Sequence, residues 1–137
     1  MTLMSNENRW LQRLQNLNKA FKRLEEACDQ GSYSELEVAG LVQTYEFTFE
    51  LCWKTLKDKL TFEGYEVNSP REVINKALEM ELITDVDQWL EALASRNLFT
   101  HTYNDQIARE ATALIREKLE PMLRACVTKL NELAKAI

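Results

Sequence analysis

The sequence has little of several residue types that mark common classes of protein. Its 137 residues include one histidine and three cysteines. Cys28, Cys52 and Cys126 are odd in number, far apart and at apolar helical positions, which indicates neither a disulfide framework nor a zinc site. We therefore expect buried free thiols in a reducing cytoplasm, with no bound metal and no cofactor.

Long apolar runs and an excess of basic charge are also missing. No stretch approaches the roughly 20 apolar residues that cross a bilayer, and residues 1–10 lack the apolar core of a signal peptide. The formal net charge of -5 argues against a general nucleic-acid binder, whose surface is usually basic. A cytoplasmic protein without membrane contact is expected, and this charge is still compatible with a local basic cleft or a basic partner.

Apolar residues recur at helical spacing through most of the chain. A first helix is predicted to end at Gly31, and its apolar positions are Trp10, Leu14, Leu17, Phe21, Leu24 and Cys28. A second runs from the capping pair Ser34 and Glu37 to Gly64, and its apolar positions are Val38, Leu41, Tyr45, Phe49, Cys52, Leu56 and Leu60.

Capping signals predict the remaining helices. The segment Ser69-Pro70-Arg71-Glu72 opens a short third helix that ends near Met80, and Thr84 with Asp87 opens a fourth. Pro121 is expected to kink the last helix without ending it. The apolar positions of that helix are Ile107, Ala111, Ile115, Leu119, Met122, Cys126, Leu130, Leu133 and Ile137.

These helices predict an all-α protein. No strand pattern, internal repeat or flexible linker is evident in the sequence. Three long helices and two shorter ones predict an up-and-down four-helix bundle with an extra short helix. Residues 1–137 are expected to form a single domain of common size.

Segment 96–103 holds the only histidine, together with an arginine and a tyrosine. The pKa of an unperturbed histidine such as His101 lies near neutrality, and Arg96 presents a charged fork of donors that suits phosphate oxygens. The pair indicates phosphodiester chemistry. Five residues on a regular helix correspond to about 140° of rotation, so the two side chains would meet only through a local distortion or across a dimer.

Capping signals place a helix junction within this segment. Thr102 with Asp105 reads as a capping box, so one helix is predicted to end near Phe99 and the next to begin near Asn104. Such a junction would aim the arginine and the histidine into one cleft, where Asp105 would accept a hydrogen bond from the imidazole. The spacing alone also fits a half-buried histidine beside a surface arginine.

Charged residues of the second helix have two interpretations. Glu46, Glu50, Lys54 and Lys57 lie near one side, and Glu50 with Lys54 is a favourable pair four residues apart. The side is either a solvated charged face or the lining of a site. No second histidine or acidic cluster completes a metal shell, so no metal is predicted.

Three aromatic residues have two interpretations as well. Tyr45, Trp53 and Trp89 fit either RNA base stacking or core packing. Their helical spacing favours packing.

Several blocks of this sequence, in the same order, resemble one protein family. Arg96, four residues, His101, any residue and Tyr103 match its motif, and the likeness extends to segments 43–57 and 69–74 and to Trp89 ahead of Arg96-Asn97. The blocks span nearly the whole chain, residues 9–135. The chain resembles the nucleotidyltransferase substrate-binding proteins, a bacterial and archaeal branch of the HEPN superfamily.

This resemblance implies a HEPN-like helical homodimer bound to a cognate minimal nucleotidyltransferase, in a heterotetramer or larger assembly that often forms a toxin and antitoxin pair. The helical subunit would be the toxin, a metal-independent endoribonuclease acting on RNA with catalytic Arg96 and His101. The nucleotidyltransferase would neutralise it by transferring AMP to Tyr103. Further candidates for lining the cleft or the partner interface are Asn97, Asp105, Glu46, Glu50 and Lys54.

Two alternatives stand beside the nuclease hypothesis. A noncatalytic subunit would bind substrate or nucleotide for a separate nucleotidyltransferase, with Arg96 gripping phosphate and His101 only hydrogen bonding. A plain helical adaptor would use neither residue. Since one chain has one histidine, a nuclease needs a second His101 from a symmetric partner to supply both a base and an acid.

Overall fold

The computed structural model describes residues 5–96 and 105–137, and this part of the chain contains helices and no strand. The helices are α1 (Asn6–Cys28), α2 (Glu35–Phe62), α3 (Pro70–Glu79), α4 (Val86–Ser95), α5 (Asp105–Leu114) and α6 (Glu120–Lys135), with a π-helical stretch over Ile115–Leu119 that joins the last two. The predicted three long helices and two short ones are confirmed, because α5 to α6 is continuous. None of the helices in the described ranges is long and apolar enough to cross a membrane.

The first long helix, α1, runs antiparallel to both α2 and the α5–α6 helix around one core. Trp10 near the start of α1 contacts Phe62 at the end of α2, with ring centroids 6.5 Å apart. Asn18 of α1 and Asn131 of α6 exchange side-chain hydrogen bonds of 3.0 and 2.8 Å. Each large apolar side chain buried between the helices contributes about 1.5–3 kcal/mol. The largest of these, all fully buried, are Trp10, Trp89, Tyr45, Phe49, Leu17, Leu24, Leu41, Leu56, Leu60, Ile74, Ile115 and Leu119.

Two helix starts form as their capping signals predict. The Ser34 hydroxyl accepts a hydrogen bond from the Glu37 amide, and the Glu37 carboxylate accepts one from the Ser34 amide. The Ser69 hydroxyl accepts from the Glu72 amide at the start of α3, where Pro70 occupies the first turn. These bonds satisfy amides that have no partner within the helix, which is why the local sequence was a sufficient guide.

The predicted start of α4 is wrong by one residue. Its N-cap is Asp85, which has a left-handed backbone (φ 55°) and makes no capping hydrogen bond through its side chain, so the box expected from Thr84 and Asp87 does not set the start. The preceding connection buries Leu82 and Ile83 in the core, and this burial overrides the local capping signal. The helix is described as far as Ser95, and the end predicted near Phe99 lies outside the described residues.

The last helix continues through Pro121, which confirms the prediction that this proline would not end it. Pro121 lies in the first turn of α6, directly after the π-helical stretch, where the Glu120 amide donates to the Ile115 carbonyl. Proline has no amide hydrogen and its ring collides with the carbonyl four residues earlier in a regular helix. The wider π turn shifts the hydrogen-bond register just ahead of the proline, so the helix continues.

The cysteines are free thiols, as the sequence predicted. Cys52 and Cys126 are buried with their sulfur atoms 3.4 Å apart between α2 and α6, and Cys28 is half-buried. Burial, assisted by the charge of Glu120, raises the pKa of the Cys28 thiol to about 11. Thiols in such surroundings stay protonated and react slowly.

Candidate functional site

Arg96 follows the last residue of α4 as its C-cap. This helix is attached to α2 by Trp89, which is 1% exposed and whose ring lies 5.9 Å from that of Phe49. The packing of these two rings determines which position along α2 Arg96 faces. Arg96 is therefore placed by core packing and not by its own contacts alone.

The rest of the predicted motif lies outside the described residues. This applies to Asn97, His101 and Tyr103, to the capping box of Thr102 with Asp105, and to the side chain of Asp105 at the start of α5. Their roles stay predictions. The described part of the site consists of Arg96 and the side of α2 that faces it.

Glu50 connects α2 to the end of α4. Its Oε1 accepts a hydrogen bond from Arg96 Nη1 at 3.3 Å, and its Oε2 accepts one from Trp53 Nε1 at 2.8 Å. The Arg96 and Glu50 side chains are 36% and 38% exposed. At such exposure an ion pair contributes only about 0.2–1 kcal/mol to stability.

The expected pairing of Glu50 with Lys54 is wrong. Among the described residues, Glu50 forms its ion pair with Arg96, from another helix. Lys54 is exposed, with its Nζ 6.0 Å from the centre of the Trp53 ring. Arg96 pairs with Glu50 in place of Lys54 because the packing of α4 brings the Arg96 guanidinium beside Glu50 Oε1. The geometry of a guanidinium is well suited to a carboxylate.

Glu46, one turn before Glu50 on α2, is half-buried. Its Oε1 is fully buried and has no hydrogen-bond partner among the described residues. Burial raises the pKa of this carboxyl, and the neighbouring negative charge of Glu50 raises it further. The site therefore combines an arginine with a carboxyl that keeps its proton to higher pH than an ordinary glutamate, an arrangement common at functional sites.

The aromatic residues pack in the core and do not form a stacking platform. Tyr45 and Trp89 are each 1% exposed and Trp53 is 9% exposed, so core packing is confirmed. Burial also raises the pKa of the Tyr45 hydroxyl, which stays protonated. The sequence interpretation missed that Trp53 donates to Glu50, although their spacing of three residues placed them on one helix face.

The side of α2 that carries Glu50 also exposes two large apolar side chains. Leu36 is 82% exposed and Phe47 is 59% exposed. At 100° per residue, both lie within about 60° of Glu50 and Lys54 around the helix axis. We call these four residues the outer stripe of α2, and the apolar part of it was missed because it lies off the predicted core seam.

Two grooves on the surface are lined by neither Arg96 nor Glu50. One of about 840 Å³ lies between α1 and the α5–α6 helix, and one of about 960 Å³ lies between α4 and α6. Both grooves mix cations and anions, as where Arg124 pairs with Glu25 and Glu120. In the described ranges no three histidine, cysteine, aspartate or glutamate side chains are arranged to hold a metal ion.

Comparison with known proteins matches nearly the whole chain to one family. The model described as "Nucleotidyltransferase substrate binding protein like" matches residues 12–132. This range includes every candidate site residue. It also includes all of α2 and α4 and the motif segment.

Two individual proteins are similar to this chain. The "Probable ribonuclease HepT" of Haemophilus influenzae is 29% identical over 83 residues, a match that spans 57% of this chain and only 57% of that protein. A crystal structure of a protein from Thermus thermophilus superposes with a TM-score of 0.72 at 34% identity, covering 85% of this chain and 98% of that one. The helical bundle is thus shared with a solved relative.

The raised pKa of Glu46 gives a prediction for stability. Because the folded protein holds this proton more tightly than the unfolded chain does, the contribution of Glu46 is most favourable at low pH and declines as pH rises through the raised pKa. Glu46→Gln removes the charge, so we expect a higher Tm than wild type near pH 7 and a difference that shrinks toward pH 4.

Thermal unfolding followed by circular dichroism across this pH range would measure the difference. Glu66→Gln, which removes an exposed carboxylate from the connection after α2, is the control. A Glu46→Gln variant that is less stable than wild type at pH 7 would show that the charged form is favoured, contrary to the argument from burial.

Proposed function

Because this chain belongs to the nucleotidyltransferase substrate-binding-like family, within the HEPN superfamily, we propose that it is the RNA-cleaving toxin subunit of a two-component system. The observation that carries the proposal is Arg96, held by Glu50 at the end of α4 and directly followed in sequence by the segment that holds His101. A relative named as a probable ribonuclease supports the same chemistry over part of its length.

The proposed reaction is metal-independent cleavage of a phosphodiester. One His101 removes the proton of the RNA 2'-hydroxyl, whose oxygen attacks the adjacent phosphorus. A second His101 protonates the leaving 5'-oxygen as its bond to phosphorus breaks. Arg96 stabilises the negative charge that develops on the phosphorane oxygens.

This reaction needs two copies of the chain, because each supplies one histidine. The outer stripe of α2 supports a twofold partner at this place, since Phe47 exposes large apolar surface about one turn from Glu50 and Leu36 exposes more on the same side near the start of α2. Exposed apolar patches rimmed by charge mark protein interfaces. We therefore place the homodimer interface on this stripe, with both Arg96 residues near the twofold axis.

The second candidate function is a noncatalytic subunit that presents substrate or nucleotide to a separate nucleotidyltransferase. The description of the matching family favours it directly. In this case Arg96 would still bind phosphate. His101 would not transfer protons, and cleavage by the isolated protein would be absent.

RNA cleavage in the presence of a chelator tests the nuclease directly. We expect purified wild-type protein to cut RNA in EDTA, and Arg96→Ala to reduce the rate about 10²–10³-fold because a charge-stabilising donor is lost. His101→Ala should reduce it about 10²–10⁴-fold through loss of proton transfer.

Arg109→Ala, which removes an exposed arginine from α5, is the matched control and should cut as wild type does. Circular dichroism would establish that every variant is folded. Folded wild-type protein that does not cleave RNA would contradict the nuclease hypothesis and favour the substrate-presenting subunit. In that case the variants would lower only the activity of the nucleotidyltransferase.

The dimer interface is tested by Phe47→Asp. A carboxylate in the centre of the outer stripe would be buried without a partner in the dimer, so we expect a folded monomer of 16.0 kDa by light scattering, where wild type has twice that mass. Leu78→Asp, at a 37% exposed position on α3, is the control and should stay dimeric. A Phe47→Asp dimer would place the interface elsewhere.

Neutralisation is proposed to occur through AMP transfer to Tyr103 by the cognate nucleotidyltransferase. Tyr103→Phe removes the acceptor hydroxyl and should receive no AMP, while Tyr65→Phe should be modified like wild type. Mass spectrometry of the intact chains after incubation with the nucleotidyltransferase and ATP distinguishes them. An AMP adduct on Tyr103→Phe would mean that another residue is the acceptor.

A further inference from the structure

We propose that Glu50 is the positioning residue for Arg96, and that Trp53 fixes Glu50 for this task. The proposal rests on the proposed function, since it assigns how the phosphate-binding arginine is oriented. It does not make Glu50 a catalytic residue. Glu50 acts through Arg96 and has no direct role in the reaction.

The two oxygens of the Glu50 carboxylate have separate partners. Oε2 accepts from Trp53 Nε1 at 2.8 Å, and Oε1 accepts from Arg96 Nη1 at 3.3 Å. Trp53 is 9% exposed and packs in the core, so its N–H direction is set by the bundle. A carboxylate with one oxygen fixed by a buried donor presents the other in a defined direction.

The Arg96–Glu50 hydrogen bond joins two helices that differ in how extensively they pack in the core. Glu50 and Trp53 belong to α2, the 28-residue helix at the centre of the core, whereas Arg96 caps the 10-residue α4. Core packing places the backbone of Arg96, but its side chain, at the end of a short helix, has few other contacts to fix its direction. The bond to Glu50, 46 residues away in sequence, therefore orients the arginine relative to the most rigid part of the protein.

The geometry favours positioning over neutralisation. The ion pair engages Arg96 through Nη1 at a long 3.3 Å, and it is not a bidentate pair that occupies one whole edge of the guanidinium. Both side chains are more than a third exposed, so the pair contributes little to folding. A guanidinium held at one nitrogen still presents its fork of donors to a phosphate.

Cleavage kinetics in EDTA test the assignment. Glu50→Gln keeps the shape but loses the charge, and we expect kcat to fall about tenfold or more with a smaller change in KM, because misplacement by about 1 Å can cost 10²-fold. Trp53→Phe keeps most of the packing and should lower kcat by about threefold. Since Glu50 acts through Arg96, Glu50→Gln should cause no further loss in the Arg96→Ala background.

A matched ion pair elsewhere supplies the control. Arg124 pairs with Glu25 at 2.6 Å and both side chains are half-exposed, so Glu25→Gln removes an equivalent carboxylate far from the motif. This variant should retain wild-type kcat and KM. Wild-type kinetics in Glu50→Gln would overturn the proposal, and faster cleavage would mean that Glu50 neutralises Arg96 instead of positioning it.

A second readout does not depend on nuclease activity. Modification by phenylglyoxal, followed by peptide mass spectrometry, reports how firmly each arginine is held. We expect Arg96 to react about threefold faster or more in Glu50→Gln than in wild type, with Arg124 unchanged, and to react at the wild-type rate in Glu25→Gln. Equal rates at Arg96 in wild type and Glu50→Gln would overturn the positioning role.

The two readouts separate the two proposals. If wild-type protein does not cleave RNA, the nuclease function fails, while the reactivity of Arg96 still decides whether Glu50 orients it. If wild type cleaves and Glu50→Gln changes neither kcat nor the reactivity of Arg96, the nuclease stands and the positioning role fails.

Discussion

The burial of one face of α2 is the constraint on which the other features of this protein depend. Tyr45, Phe49, Cys52 and Leu56 recur along that face and are each about 1% exposed or less. Their contacts with α1, α4 and α6 fix the rotation of α2 about its axis. That rotation in turn determines which residues face outward, and these include Glu50, Lys54 and Phe47.

Trp53 lies at the boundary between the buried face and the outer side. Its ring packs in the core while its N–H reaches the Glu50 carboxylate, so core packing is transmitted to a group at the surface. A buried tryptophan usually finds a hydrogen-bond partner for its N–H. Here the partner is a residue that also holds Arg96, which connects the stability of the bundle to the geometry of the candidate site.

The chain carries a net charge of -5, yet its candidate site contains a cation that suits phosphate. The overall charge does not favour long-range attraction of RNA, so recognition would depend on local groups. This local character agrees with a family whose description names binding of a nucleotidyltransferase substrate.

The sequence by itself determined the helical class, the core seams apart from Ile137, which is 60% exposed, and the capped starts of α2 and α3. These depend on apolar period and on bonds between residues three apart. It also located Arg96 and indicated that Glu50 and Lys54 share a helix side. Only the tertiary structure decided that Glu50 pairs with Arg96 and not with Lys54, and that α4 begins directly after Asp85. Both depend on how α4 and the connection before it pack against α2, and contacts between residues 46 apart leave no periodic signal in a single sequence.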